Sequence, residues 1–362
     1  LDGTAQCWGL NTLGQLGNGT NTTSPQPVRV LASIGGAPFD GMDQIAMGAG
    51  DVSCARRTDG TAWCWGANAQ GELGDGTTTP RSTPVQVMAS PGVPFVNVTQ
   101  IATGEESTCA RTSDGHVRCW GLSDYGQVGN PAAGARSLMP LEVVDGVGTP
   151  LAGAAGAMTS VQHACAWDAS GNLSCWGHGE GGRLGYGGAA DQPAPIAVSV
   201  SGVQRVSSQY RHTCALVAGG GLYCWGYDTS GELGDGGSGN QYSPVTVHGP
   251  GGVGVFTAAT DLGTGDSHTC ASRTDGTVWC WGNGANGRLG TGATGGTTNI
   301  AMQAALPVPV QSVAVSNRST CALSMDGLEV WCWGYGADGE LGTGGSADSD
   351  TPLRALVGCP SS

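Results

Sequence analysis

Cysteine and histidine are the side chains in this 362-residue chain most able to do chemistry, and the spacing of its 14 cysteines narrows what that chemistry is. Five pairs are ten residues apart: Cys54/Cys64, Cys109/Cys119, Cys165/Cys175, Cys214/Cys224 and Cys270/Cys280. A sixth, Cys321/Cys332, is one residue longer. Structural zinc sites want cysteines two to four residues apart, so this spacing disfavours metal. In every pair a glycine follows the first cysteine by six residues. A three-residue hairpin loop such as Thr58-Asp59-Gly60, with the glycine in the left-handed position, would set Cys54 directly opposite Cys64. Opposed strand residues lie about 4.5–5.5 Å apart at Cα, within disulfide reach. Six hairpin disulfides are therefore expected, and with them an oxidising compartment. The longer pair predicts a bulge near Leu328 or Glu329. Cys7 and Cys359 remain and are expected to pair if the two ends of the chain meet.

Three histidines, His163, His212 and His268, stand two residues before the first cysteine of successive pairs, where the other repeats carry Val52, Ser107 and Ser319. Brought onto one arc they would suit a metal ion; the competing reading is hydrogen bonding within the framework, or contact with a partner. Gly-Asp-Gly loops at Asp75 and Asp235 suggest calcium, but no twelve-residue loop of alternating oxygen ligands accompanies them. No cofactor is expected, with calcium left open. Neither a Gly-x-Ser-x-Gly elbow nor any other catalytic motif is present, so the expectation is a protein that is not an enzyme. All 14 basic residues are arginine, which removes Schiff-base and P-loop chemistry. The net charge of −14 disfavours nucleic acid as a partner.

What positions these residues is a repeat. Cys-Trp-Gly occurs seven times, beginning at Cys7, Cys64, Cys119, Cys175, Cys224, Cys280 and Cys332. Each copy is followed by Gly-x-[Leu/Val]-Gly, as in Gly14-Gln15-Leu16-Gly17 and Gly231-Glu232-Leu233-Gly234. Short β-type runs flank the Asp-Gly turns at Asp59-Gly60, Asp114-Gly115, Asp275-Gly276 and Asp326-Gly327. Proline-led runs such as Pro84-Val85-Gln86-Val87 read as strands at a sheet edge. No segment has a helical period. Four short antiparallel strands per unit and seven units over residues 1–362 predict one all-β, seven-bladed β-propeller, with a disulfide in most blades and the chain ends sharing one blade. The tryptophan of each Cys-Trp-Gly points away from its cysteine and is expected to fill the layer between blades.

The motifs resemble those of the RCC1-like repeat propellers, with a Gly-x-[Asn/Gly]-x-x-Gly-[Gln/Glu/Arg]-Leu-Gly core at residues 9–17, 66–74, 282–290 and 334–342. The cysteine-rich repeats suggest a secreted, bacterial type. Members of that family engage other proteins through propeller faces, so the resemblance implies a binding role; it assigns no functional residue here.

The segments before the first cysteine of each pair differ from unit to unit while the framework repeats. Variable loops on a rigid support suit recognition. The candidate partner-binding residues are Asp51, Glu105, Glu106, His163, Tyr210, Arg211, His212, Asp266, His268 and Arg318. The expected function is a secreted or cell-surface protein-binding module. The alternatives are a structural subunit of an extracellular assembly or filament, and a carbohydrate- or ligand-binding propeller. No run of 18 apolar residues is present, so membrane insertion is not expected. Nor does Leu1-Asp2-Gly3-Thr4 read as a leader, so any export signal is expected to have been removed. The sequons at Asn18, Asn21, Asn97, Asn172 and Asn317 matter only if the host glycosylates.

Overall fold

The computed structural model describes residues 3–48 and 50–357. Its framework is six four-stranded antiparallel sheets, each with its strands in chain order. Blade A is Met42–Met47, Val52–Arg57, Ala62–Gly66 and Arg81–Gln86. Blade B is Val98–Thr103, Ser107–Thr112, Val117–Leu122 and Arg136–Glu142. Blade C is Ala154–Thr159, His163–Asp168, Leu173–Gly177 and Gln192–Val198. Blade D is Val203–Ser208, His212–Val217, Gly221–Gly226 and Gln241–Thr246. Blade E is Ala259–Thr264, His268–Arg273, Val278–Asn283 and Thr297–Gln303. Blade F is Val310–Val315, Ser319–Ser324, Val330–Gly334 and Ser349–Arg354.

The fold is thus an all-β propeller of six blades, which corrects the seven expected from the motif count. The first Cys-Trp-Gly supplies only Gln6–Gly9, which pairs with Ser24–Arg29 as a two-stranded sheet. Two strands precede Cys-Trp-Gly in every four-stranded sheet, whereas among the described residues none precedes Gln6–Gly9. A motif count therefore overstates the number of four-stranded blades by one.

Hairpin chemistry explains the middle of each blade. In blade A the Arg57 N–H donates to Thr61 O at 2.9 Å, closing a loop whose Gly60 has φ +78°. An L-residue is strained there, which is why the turn is glycine. The resulting register sets Cys54 against Cys64, and the same pairing recurs at Cys109/Cys119, Cys165/Cys175, Cys214/Cys224, Cys270/Cys280 and Cys321/Cys332. All six pairs are disulfides. The extra residue of the last pair does not bulge the ladder, contrary to expectation. Leu323 still pairs Val330, and the Ser324 N–H donates to Glu329 O at 2.9 Å. The turn itself lengthens and leaves Leu328 exposed, a cheaper place for one more residue than a packed strand. Cys7 is buried; its expected partner, Cys359, lies outside the described residues.

The fourth strands, which carry prolines in every blade but E, sit at the sheet edge, where a missing N–H costs no ladder bond. The chain divides into two compact units. One contains blades A to C with Asn11–Thr22; the other contains blade D from Gln204 onward, blades E and F, and Trp8–Leu10.

Within each unit, neighbouring blades share an apolar layer. Val52, Leu73 and Phe95 of the blade A repeat meet Ile101, Ala110 and Trp120 of blade B. Leu222, Leu233 and Phe256 of the blade D repeat meet Leu262, Ala271 and Trp281 of blade E.

Candidate recognition rim

The loop joining the first and second strands of each blade holds the residues singled out by sequence other than the histidines, which begin the second strands of blades C, D and E. Its neighbour is the Gly-x-[Leu/Val]-Gly loop, which has a structural task that precedes any functional one. The indole N–H groups of Trp65, Trp120 and Trp176 donate to the carbonyls of Gln15, Glu72 and Gln127 at 2.9, 2.8 and 3.0 Å. In the other unit Trp281, Trp333 and Trp8 do the same to Glu232, Arg288 and Glu340 at 2.8, 3.0 and 2.8 Å. Each loop is thus the receptor for the tryptophan of another repeat. A buried indole keeps its one donor satisfied this way.

In the unit of blades A to C the rim is acidic. The Gln15 amide donates to Asp51 at 2.7 Å, and burial raises the Asp51 carboxyl above its ordinary range against that bond. Glu72 is buried, accepts from the Gln70 N–H at 2.8 Å, and is raised by burial and then by the charge of Glu106. Glu106 is itself raised by burial and by Asp124, while Glu105 beside it is exposed. Tyr125 stacks on His178 with ring centroids 4.1 Å apart, and Arg183 and His178 converge on the Gln162 amide oxygen at 2.9 and 2.8 Å.

In the other unit the rim carries cations on aromatic supports. The exposed Arg211 guanidinium lies 4.8 Å from the Tyr210 ring centroid and 5.2 Å from that of Tyr227. Arg318, also exposed, lies 5.5 Å from the Tyr335 ring. Asp266 is half-buried, and its N–H donates to Asn317 O at 3.3 Å. Buried Arg288 donates to Ser267 Oγ at 3.3 Å and to Ala285 O at 2.9 Å.

The histidines part company with the other candidates. His163, His212 and His268 are completely buried, which corrects their placement among partner-contacting residues. The side chains of Ser160 and His163 hydrogen-bond at 2.8 Å, those of His212 and Thr269 at 2.8 Å, and those of His268 and Thr320 at 3.0 Å. His212 and His268 thus face the neighbouring blade. Burial lowers His212 to about 4 and His268 well below its ordinary value, so both are neutral imidazoles at physiological pH. Among the described residues no three His, Cys, Asp or Glu side chains converge as metal ligands.

Sequence reasoning also passed over the residue between the glycines of each receptor loop. Gln15, Glu72, Gln127, Arg183, Glu232 and Arg288 are buried polar groups at the rim. The available signal was a polar residue in every copy of an otherwise glycine and aliphatic motif.

A second set of buried polar residues follows Cys-Trp-Gly by two positions. Asn11 and Asn68 are completely buried, and their side-chain oxygens accept from the N–H groups of Leu16 and Leu73 at 2.9 and 3.0 Å. The Asn68 amide nitrogen donates into a cup of oxygens made by Asp75, Thr77 and Thr79. Asp75, lowered by its hydrogen bonds to Thr77 despite partial burial, pairs with Arg81 at 3.1 Å. Blade D carries Asp228 at the equivalent position. Its carboxyl accepts from the Leu233 N–H at 3.0 Å, and its other oxygen is buried without a partner. Burial, with Asp235 and Glu232 nearby, pushes Asp228 up to about 7.

The RCC1-like domain model matches residues 4–358. The chain is 33% identical over 359 residues to the ultraviolet-B receptor UVR8 of Arabidopsis thaliana, covering 97% of this chain and 78% of that one. It is 30% identical over 352 residues to the human E3 ubiquitin-protein ligase HERC2, covering 94% of this chain but only 6% of that protein. Among solved structures, human WBSCR16 superposes with a TM-score of 0.82 at 21% identity, covering 98% of this chain and 94% of that one. Prp20p of Saccharomyces cerevisiae superposes at 0.79 and 19% identity, covering 99% and 87%. Repeat, sheet architecture and full-length similarity agree: the chain belongs to the RCC1-like domain family.

Proposed function

We propose that this chain is a non-catalytic protein-binding propeller that works outside the cytoplasm and grips its partner through the rim loops between the first and second strands. The observation that carries this reading is Arg211 held over Tyr210 and Tyr227 while remaining exposed. Arginine and tyrosine dominate interface hot spots, and an arginine already ordered on two rings loses little entropy on binding. The disulfide behind each rim segment removes further freedom from the support. Asp266 and Arg318 are further polar rim groups of the same unit, and Asp51, Glu105 and Glu106 are those of the other. Among relatives, Prp20p has been described by its binding to Gsp1p and histones, which agrees with a propeller that acts by contact. Six disulfides in one chain support an oxidising compartment. Among the described residues no helix is long and apolar enough to cross a membrane.

The test is capture from an extracellular extract of the source by the immobilised chain. The doubly substituted Arg211→Ala/Arg318→Ala chain is expected to lose about tenfold or more of the heterologous partner, the size of one hot spot. Undiminished capture, or recovery of nothing but further copies of the chain, overturns the reading, and the second outcome transfers support to a structural assembly.

A further inference from the structure

Blade D departs from blade A at two coordinated positions on either side of a shared aspartate. Where blade A carries Asn68, Asp75 and Arg81, blade D carries Asp228, Asp235 and Gln241. In blade A the neutral amide donates to its cup of oxygens and the one carboxylate is neutralised by arginine at 3.1 Å. In blade D the donor is replaced by an oxygen and the arginine by an amide, Gln241, whose nitrogen lies 3.4 Å from Asp235. The local formal charge changes from zero to −2. Two residues of the cup, Thr77 and Thr79, become Gly237 and Gly239, which takes the Thr77 hydroxyl out of the space and leaves the backbone carbonyls.

The surrounding frame is otherwise retained. Asp228 accepts from Leu233 as Asn68 does from Leu73, at 3.0 Å in both. Asp235 accepts from the Gly237 N–H at 2.8 Å, as Asp75 does from Thr77 at 2.9 Å. The second Asp228 oxygen therefore stands where the Asn68 amide nitrogen stands, completely buried and without a partner. An oxygen facing other oxygens is repelled unless something positive lies between them. Two carboxylates and backbone carbonyls with room for water are the ligand set of a hard divalent cation of flexible geometry.

We propose that the loop of blade D between its third and fourth strands binds one calcium ion, through the carboxylates of Asp228 and Asp235 with the backbone carbonyls of Gly237 and Gly239. The rival account is that Asp228 keeps a proton and donates it to the cup, with no ion involved.

The experiment uses the whole, disulfide-intact chain, stripped with EDTA and returned to calcium-free buffer at pH 7.5. Calorimetric titration with calcium chloride is expected to show one saturable site with Kd of about 0.1–1 mM, the range of extracellular calcium modules. Added calcium should also raise the melting temperature. Asp228→Asn restores the residue that already folds in blade A and should weaken binding at least tenfold while the protein still melts cooperatively without calcium. Gln241→Arg restores the counterion and should weaken it by a similar factor. Failure of calcium to bind or to stabilise the unmodified chain overturns the proposal and leaves the protonated acid. Isotherms of both variants that match the unmodified chain also overturn it.

Discussion

The three histidines show how a single side chain divides between recognition and framework. Their position two residues before a cysteine, next to variable loops, reads in sequence as a rim. Strand register decides otherwise: His163, His212 and His268 pair with Gly177, Gly226 and Gly282. The imidazoles of His212 and His268 reach threonines of the neighbouring blade, a contact no single repeat contains. Burial has a consequence for acid stability. An unfolded histidine takes a proton near 6.5, whereas folded His212 does so only at about 4. The folded chain thus binds fewer protons between those values, so stability is intact above 6.5 and is lost as pH falls toward 4. That gap corresponds to on the order of 3 kcal/mol. His212→Ser, the residue found at the equivalent Ser107 and Ser319, should shrink by about that amount the loss of unfolding free energy between pH 6.5 and 4. Urea titrations at a series of pH values measure it, and an unchanged acid slope would show that His212 is not the responsible group.

At the scale of the element, the receptor loop links the two motifs of the repeat. Gly234 has φ +65°, and a Cβ built there would stand 2.7 Å from the Trp281 indole nitrogen. Gly254 has the same φ with nothing within 4 Å of its Cβ position. Both Gly→Ala changes incur the left-handed backbone cost, roughly 1–2 kcal/mol. Gly234→Ala adds the cost of displacing a packed ring, about 1–3 kcal/mol. Thermal unfolding should therefore rank Gly234→Ala below Gly254→Ala by that second amount, and equal losses would mean that the loop is not shaped by the tryptophan. This pairing explains which parts of the fold were legible. Cysteine spacing and turn glycine fixed the hairpin, because every partner lies within about a dozen residues. The repeat signalled four strands per unit, yet the first Cys-Trp-Gly has its sheet partner only at Ser24–Arg29. What Gln15 or Glu232 does was hidden for the same reason: each carbonyl serves an indole 50 or 49 residues away. The extra residue before Cys332 went into the turn because the strands on either side of it keep their partners.

For the whole molecule, the disulfides and the proposed address outside the cytoplasm stand together. Each bridge closes a loop of about ten residues and contributes roughly 2–3 kcal/mol in the chain-entropy account. Six of them nominally match or exceed the 5–15 kcal/mol by which a typical domain is stable, and even as an upper bound this makes the reduced chain a much weaker protein. The core has little with which to compensate, since glycine occupies 66 of 362 positions and aromatic residues only 6%. Intact mass of the protein isolated without reductant should fall below the fully reduced value by two hydrogens for each of the six bridges, or by 14 hydrogens if Cys7 also pairs with Cys359. Reductant at neutral pH should then lower the melting temperature by more than about 10 °C, since at roughly 2.1 cal/mol/K per residue each kcal/mol is worth about 1.3 °C in a chain of this size. Thiols free throughout the isolated protein, or a melting temperature indifferent to reductant, would detach the fold from oxidation. The blades would then be held without covalent help by their ladders, apolar layers and tryptophan receptors, and the case for a protein that works outside the cytoplasm would lose its physical basis.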